Sequence, residues 1–487
     1  RRSSDLLDGD LDLYMLNHSV HPNRSYGKGK TRANYDPFSG DRLFRNDNGV
    51  FTDVSGESGI FQGKIGYGLD LSVGDLNEDG YPDIYVGNDF FENDYLYLNY
   101  GEWRFREINS VNPNSIGHTS HFSMGNTIAD LDNDGSADIF ELDMLPQDLI
   151  TYKNSGPDER YPIYQYFLRN GYDHQYMQNT YQQNNGLSFS EIAHLAGLAA
   201  TNWSWGVLPV DLDRNGFKDL FITNGIKGAT NDMDFVSFAA NEEIQREISK
   251  GGDANLTMAK KLPPIKIANY VYSNGGDNQF EDVSSEWLGE LPTFSNGCLY
   301  ADLDNDGDMD LVVNDVDGPA LVYENKIGQG DDQQPHYLGI SLKGTATNAF
   351  GIGTKVLLYH DGQKQTWENF PANAYLSYTD TRHVFGLGKS QSIDSLIVVW
   401  PGGKYEVFET LPLDQYHTFS YQNASGQYYK VGELIDDEYF GLPHFEHQEE
   451  TTLEFDRNPL LPFAKSNEGP KVSVADVNND GLDDLFI

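Results

Sequence analysis

Cysteine is almost absent. Cys298 is the single one in 487 residues, so no disulfide can form within the chain. It follows Phe-Ser-Asn-Gly where a strand is expected, and reads as a small buried apolar residue. Basic residues are scarce too: 33 Lys and Arg stand against 75 Asp and Glu, a formal net charge of −42. Phosphate binding needs clustered Lys and Arg, so nucleic acid is excluded as an expected partner. There is no apolar run of about 18 residues to cross a membrane as a helix, and no signal-peptide pattern. Familiar catalytic signatures are missing as well: no G-x-S-x-G elbow, no H-E-x-x-H, no phosphate-binding glycine loop.

What is abundant is aspartate, and it is crowded. "DLDNDGDMDLVV", Asp302 to Val313, sets five aspartates in nine residues and then enters an apolar strand. Two carboxylates about 4 Å apart repel by roughly 1 kcal/mol in water, and by about 4 at an effective dielectric of 20. Folding such a turn is unfavourable unless a cation neutralises it. Asp302, Asp304 and Asp306 occupy positions 1, 3 and 5, Gly307 position 6 and Asp310 position 9. Alternate residues of a tight loop aim their oxygens at one centre, and the glycine allows the positive φ that wraps the chain around it. Ca²⁺, with six to eight oxygen ligands at about 2.3–2.6 Å, fits that set. The loop has no Cys or His, which argues against zinc and softer metals. Position 12 is Val313 rather than Glu and the flank is strand-like, so this is not an EF-hand.

The frame recurs as "DLNEDGYPD" at Asp75, "DLDNDGSAD" at Asp130, "DLDRNGFKD" at Asp211 and "DVNNDGLDD" at Asp476, each followed by a short apolar run. A worn copy near Ser4 keeps Asp8, Gly9 and Asp12. Positions 1, 3, 5 and 9 are expected to ligate by side chain. Position 7 is expected to point its side chain outward and offer its main-chain carbonyl. That assigns Asp75, Asn77, Asp79, Tyr81 and Asp83, then Asp130, Asp132, Asp134, Ser136 and Asp138. It continues with Asp211, Asp213, Asn215, Phe217 and Asp219, then Asp302, Asp304, Asp306, Asp308 and Asp310. The last set is Asp476, Asn478, Asp480, Leu482 and Asp484. One Ca²⁺ per intact loop is expected.

The surroundings repeat too. "FSMG" at Phe122, "WSWG" at Trp203 and "FSNG" at Phe294 precede the middle loops. After each loop and its strand come another strand, an Asn/Gly turn and Phe–x–(Asp/Glu)–(Val/Ile), as in "RLFRNDNGVFTDV" and "YVYSNGGDNQFEDV". Asn-Gly between alternating apolar residues is a strong hairpin signal. Successive loop starts lie 55, 81 and 91 residues apart, consistent with propeller blades of about 40–50 residues carrying insertions.

These units resemble FG-GAP/VCBS repeats, the calcium-loop blades also seen in integrin α-subunit propellers. The stretch from Gly344 to Phe419 resembles the ASPIC/UnbV domain through Gly351-Ile352-Gly353, "HVFGLG" at His383 and "VVWPGGK" at Val398. The combination is similar to large surface proteins of Bacteroidota. The expected fold is all-β, with a calcium-loop β-propeller over residues 1–330 and a helical insertion near 231–262. A separate small ASPIC/UnbV β-domain is expected over 337–420, a linker over 421–464, and the start of a second repeat unit over 465–487. Both chain ends read as cut inside repeats. Two further blades upstream would make seven, with an export signal or lipid anchor before them.

Two insertions break the β pattern: "DFVSFAANEEIQREISK" and "ERYPIYQYFLRNGY" both have helical spacing. "NGIKGATNDMDF", from Asn224, is expected as an exposed loop and a candidate partner surface. His118 with His121, and His18 with His21, form H-x-x-H pairs without a third ligand in reach, so each reads as a polar turn. Ser123, Ser204 and Ser295 recur at equivalent repeat positions, as structural residues do. The expected function is a non-enzymatic, calcium-stabilised binding or scaffold protein. Millimolar calcium lies outside cells, which places it as exported, at the cell surface or outer membrane. The resemblance implies a role beside SusC/SusD-type uptake machinery or another envelope complex, with a protein partner or a glycan or peptide ligand. The alternative is a carbohydrate-active enzyme that stacks sugars on Tyr and Trp of the propeller face.

Overall fold

The computed structural model describes residues 9–19, 27–110, 115–155, 161–186, 188–233, 235, 260–327, 334–372 and 374–429 with their side chains, and residues 2–5, 473–475 and 484–486 in backbone only. The chain divides into two compact units, Arg1–Lys430 and Val431–Ile487.

Antiparallel hairpins build the first unit. β1 (Arg2–Asp5), β2 (Leu11–Met15), β3 (Arg42–Asp47) and β4 (Val50–Asp53) form one four-stranded sheet in sequence order. β5 (Gly68–Gly74), β6 (Asp83–Asn88), β7 (Tyr95–Asn99) and β8 (Phe105–Glu107) form the second. β9 (Thr119–Ser120) and β12 (Gln175–Tyr176) pair in parallel with each other. The third sheet is β10 (Asn126–Ala129), β11 (Asp138–Glu141), β13 (Thr180–Asn184) and β14 (Phe189–Glu191). The fourth is β15 (Ser204–Val210), β16 (Asp219–Asn224), β17 (Tyr270–Asn274) and β18 (Phe280–Asp282). The fifth has three strands, β19 (Ser295–Ala301), β20 (Asp310–Asp315) and β21 (Leu321–Tyr323). The turn chemistry is as the sequence asks: Asn48 and Gly49, between β3 and β4, both take positive φ, 54° and 90°, as a type I′ turn requires.

The first strands β5, β10, β15 and β19 lie side by side in that order, the arrangement of a β-propeller-type protein. Apolar residues fill the spaces between neighbouring sheets. Leu43 packs with Leu71 and Val86, Leu96 with Ile139, Phe140 with Leu220, and Val271 with Cys298. Because sheets stack on both faces, β6 and β16 are buried along their whole length. Cys298 is 2% exposed, the apolar role expected of it.

The next module has two sheets. β22 (His336–Lys343) lies between β25 (His383–Gly388) and β28 (Tyr416–Ser420), antiparallel to one and parallel to the other. β23 (Lys355–His360), β24 (Gln363–Glu368), β26 (Ser395–Val399) and β27 (Tyr405–Phe408) form the second sheet. Ile340, Val356, Leu358, Phe385, Val398 and Trp400 share its core. The connection between β24 and β25 enters the space among the repeated sheets. Ala374 is fully buried in the Cys298 cluster, the Tyr375 ring lies 5.3 Å from that of Trp205, and Ser377 Oγ accepts from the Cys298 N–H at 3.0 Å.

Among the described residues the helices are short: α1 (Ser55–Ser58), α2 (Leu149–Asn154), α3 (Tyr161–Arg169), α4 (Ala193–Ala196) and α5 (Ser284–Trp287). α3 falls in the second insertion, where helical spacing is read. Of the first insertion, expected near 231–262, residues 234 and 236–259 lie outside the described residues. The loop after Asn224 is only partly exposed, since Ala229 is fully buried and Ile226 exchanges backbone hydrogen bonds with Ile265. In the second unit, β29 (Ser473–Ala475) pairs antiparallel with β30 (Asp484–Phe486). Asp484 is described in backbone only, and Asp476, Asn478, Asp480 and Leu482 lie outside the described residues.

Candidate metal loops

Each of four acidic loops joins the first strand of a sheet to the second. Position 6 takes positive φ in all of them: Gly80 87°, Gly135 99°, Gly216 95° and Gly307 87°. Position 4 does so as well, at Glu78, Asn133, Arg214 and Asn305, a second left-handed residue that the spacing did not announce. These two reversals fold the loop back on itself. Gly80, Gly216 and Gly307 then donate their N–H to the carboxylate of position 1 at 3.1, 2.9 and 3.1 Å.

Carboxylate oxygens of Asp130, Asp132 and Asp134 all lie within 4.8 Å of one another, as do those of Asp302, Asp304 and Asp306. In the third loop, where Asn215 holds position 5, the trio is Asp211, Asp213 and Asp219. The first loop gathers no such trio. Its position 3 is Asn77, whose amide donates to Asp79 at 3.0 Å.

Position 9 has a structural task in every loop. Asp83, Asp138, Asp219 and Asp310 each accept from the N–H of position 2, at 3.0, 3.0, 2.9 and 2.9 Å. Each also accepts from the N–H of an asparagine that ends the third strand, Asn99 at 2.8 Å, Asn184 at 2.9 Å and Asn274 at 2.8 Å, or follows it by two residues, Asn325 at 2.8 Å. The worn first copy keeps this bond, from Asn46 to Asp12 at 2.8 Å. These asparagines were visible in the sequence as a recurrence, but their role was not. The Asn274 amide donates to Leu131 and Lys218 carbonyls, so it ties the second loop to the third.

At position 7, the N–H of Tyr81, Ser136 and Phe217 donates to the side chain of position 5 at 2.8, 2.7 and 2.7 Å. Asp308 corrects the outward orientation expected of this position. It is 2% exposed, and its carboxylate lies 3.7 Å from Nη2 of Arg214. Arg214 comes from the third loop, a partner that the spacing within the fourth loop cannot reveal.

The donor set fits a cation. Both carboxylate oxygens of Asp130, one of Asp302 and one of Asp75 are buried without a hydrogen-bond partner. Burial pushes the carboxyls of Asp75, Asp138, Asp211 and Asp219 above their ordinary range. A buried carboxylate in that state is stabilised by a bound positive charge. Neighbouring elements supply part of it. Lys218 is buried and donates to the Asp130 carbonyl at 2.8 Å, and burial holds its ammonium below the usual lysine range. Lys355 of β23 lies 4.0 Å from Asp75 and 3.2 Å from Glu368.

The module reaches all four loops. Glu368 accepts from the Asp75 N–H at 3.0 Å, and Tyr416 donates to Asp302 at 2.7 Å. Arg382 donates to the Asp302 carbonyl and to Asn305, both at 2.8 Å. A Cβ on Gly135 would meet Lys364, and one on Gly216 would meet Gln365.

The remaining candidates are spread out. His121 is buried against Gln175, His118 lies 3.6 Å from Glu191, His18 stacks near Tyr67, and His21 lies outside the described residues. The Ser123, Ser204 and Ser295 hydroxyls donate locally, to Glu141, Thr201 and Thr293.

Residues 344–426 match the family described as ASPIC and UnbV, and residues 75–141 and 267–313 match the FG-GAP-like repeat. Among solved structures, the chain is similar to an Agrocybe aegerita lectin that recognises non-reducing terminal N-acetylglucosamine. The identity is 12%, over 80% of this chain and 85% of that one, with a TM-score of 0.31. It is also similar to a triple arginine-to-alanine mutant of AofleA from Arthrobotrys oligospora, at 10% identity over 73% and 77% of the two chains, TM-score 0.24. No curated protein matches the sequence.

Proposed function

We propose that this chain, an FG-GAP-like repeat protein with an ASPIC and UnbV domain, is a calcium-stabilised binding or scaffold protein that works outside the cell and carries out no catalysis. Asp130 supports this best. Its two oxygens are buried without partners beside Asp132 and Asp134, which is the state of a ligand set built for a hard cation. In this role Asp130, Asp132 and Asp134, Asp302, Asp304 and Asp306, and Asp211, Asp213 and Asp219 hold the ions. The module seated on the loops then depends on them for its footing. Weak multi-site calcium loops suit the millimolar calcium outside cells, which favours an exported, envelope-associated protein beside uptake machinery or another surface complex.

The alternative of a sugar-cleaving enzyme has less support. Asp94 and Glu141 are a carboxyl pair outside the loops, both bonded to the Tyr85 hydroxyl, at 3.2 and 3.1 Å. Both are fully buried, so no substrate reaches them. Calorimetric titration of chelator-treated protein with Ca²⁺ tests the proposal. We expect saturable binding at several sites, with loss of one site in Asp132→Ala. Absence of binding at millimolar calcium would end the calcium reading.

A further inference from the structure

Histidines from separate stretches of the chain meet beside the third sheet. β9 and β12 pair in parallel with Thr119 opposite Gln175, and the Thr119 N–H donates to the His174 carbonyl at 3.1 Å. This sets His118 and His174 side by side. His194 arrives on α4, three residues after Glu191 ends β14. His174 and His194 are exposed and His118 is half-buried. The side-chain amide of Gln178 links two of the imidazoles, 3.3 Å from Nε2 of His118 and 3.1 Å from Nε2 of His194. His121, the other half of the H-x-x-H spacing, is turned away and buried against Gln175.

Glu191 faces the same point. Its Oε1 accepts from the N–H groups of Tyr181 at 3.2 Å and Ala193 at 2.8 Å, which fixes the carboxylate between β13 and α4. Its Oε2 lies 3.6 Å from Nε2 of His118, too far for a hydrogen bond. Two donors that share one tetrahedral zinc at about 2.0–2.1 Å stand about 3.4 Å apart, so this pair is close to ligand spacing already. The His118 ring is held in turn by an edge contact with Tyr176, centroids 4.9 Å apart. Outer contacts of this kind orient metal ligands. Glu191, His118 and His194 together are more widely spread than the acidic trios, because the Gln178 amide lies between the imidazoles.

We propose that His118, Glu191 and His194 form a site for a borderline divalent transition-metal ion such as Zn²⁺, and that the Gln178 amide bridges the imidazoles until the ion replaces it. The exposed His194 side chain turns inward to complete the set, while His118 and Glu191 supply Nε2 and Oε2. Two imidazoles and a carboxylate suit Zn²⁺, Cu²⁺ or Ni²⁺. They suit Ca²⁺ poorly, since it takes oxygen ligands. No residue of the acidic loops takes part, so the inference stands apart from the calcium reading.

The test titrates the full 487-residue chain with Zn²⁺ against a chromophoric chelator, in millimolar Ca²⁺ so that the acidic loops are not left to the zinc. One Zn²⁺ per chain should bind and resist the calcium. His118→Ala and His194→Ala should each weaken binding by at least about tenfold, the lower end of the loss seen when even an outer contact of a metal site is removed. Gln178→Ala should bind more tightly than the parent, because the competing bridge is gone. His194→Ala should melt within about 2 °C of the parent, since its side chain is exposed, so its loss of zinc cannot be a loss of fold. Three results would overturn the proposal: no zinc uptake in the presence of calcium, uptake unchanged in both histidine variants, or weaker uptake in Gln178→Ala.

Discussion

The hydroxyl of Tyr416 donates to Oδ2 of Asp302 across 2.7 Å, so a strand of the ASPIC and UnbV module is bonded to position 1 of the fourth acidic loop. The guanidinium of Arg382, from the same module, caps the carbonyl of that aspartate. The module is thus braced on a candidate metal site, and several measurable consequences are expected.

Removing the hydroxyl should weaken the brace. A hydrogen bond to a charged group contributes about 1.5–3 kcal/mol. Tyr416→Phe should therefore lower stability by about 2 kcal/mol in urea unfolding at neutral pH. An unchanged midpoint would show that the contact does not contribute.

Arg214 should tolerate neither truncation nor a lysine. It is 3% exposed, donates to the carbonyls of Asp306 and Gly307 at 3.1 Å each, and stacks over the Tyr337 ring. Arg214→Ala breaks a buried charge partnership, for which losses of about 3–5 kcal/mol are typical. Arg214→Lys lacks the fork that reaches two carbonyls, so it should recover less than half of that loss.

Asn274 should rank with the loop aspartates in importance. Its side chain makes bonds of 2.8 and 3.1 Å to the Leu131 and Lys218 carbonyls and accepts from Gly276 at 2.9 Å. Asn274→Ala strands these buried groups at about 1 kcal/mol each. Thermal unfolding should show a loss of about 3 kcal/mol.

Calcium removal should lower the melting temperature. A ligand of the folded state stabilises by about 2.7 kcal/mol per site at a hundredfold excess over Kd. Asp304→Ala should reproduce one site's share of the chelator effect and make the remaining shift smaller. A chelator that leaves the curve of the parent unmoved would contradict this.

His121 should make the fold sensitive to acid. Burial lowers its imidazole from the ordinary 6.5 to about 4, so the folded form keeps it neutral while the unfolded chain takes up a proton. Stability from this group is whole above pH 6.5 and is lost as the pH falls towards 4. The total is about 3 kcal/mol at 1.36 kcal/mol per unit. Between pH 6.5 and 4.5 the His121→Gln protein should lose less stability than the parent, by comparison of urea midpoints. Parallel curves would mean that His121 is not held neutral.

Much of this architecture was legible in the residues alone. The frame of Asp302, Asp304, Asp306, Gly307 and Asp310 describes a loop whose clustered carboxylates and reversal at Gly307 lie within nine neighbours. Asn48-Gly49 likewise dictates its own hairpin, because the positive φ it needs is a property of those two residues. Local chemistry of this kind survives without any knowledge of what packs nearby.

The tertiary structure decided which charges meet. Tyr416 and Asp302 are 114 residues apart, the Glu368 carboxylate and the Asp75 N–H 293, and the Lys218 ammonium and the Asp130 carbonyl 88. Asp308 turned inward for the same reason, since its partner Arg214 belongs to the preceding loop. Spacing within a loop can specify a cation's ligands, because these converge over a few bonds. It cannot specify the counter-charges around them, which are set by how sheets stack and where the module comes to rest on their loops.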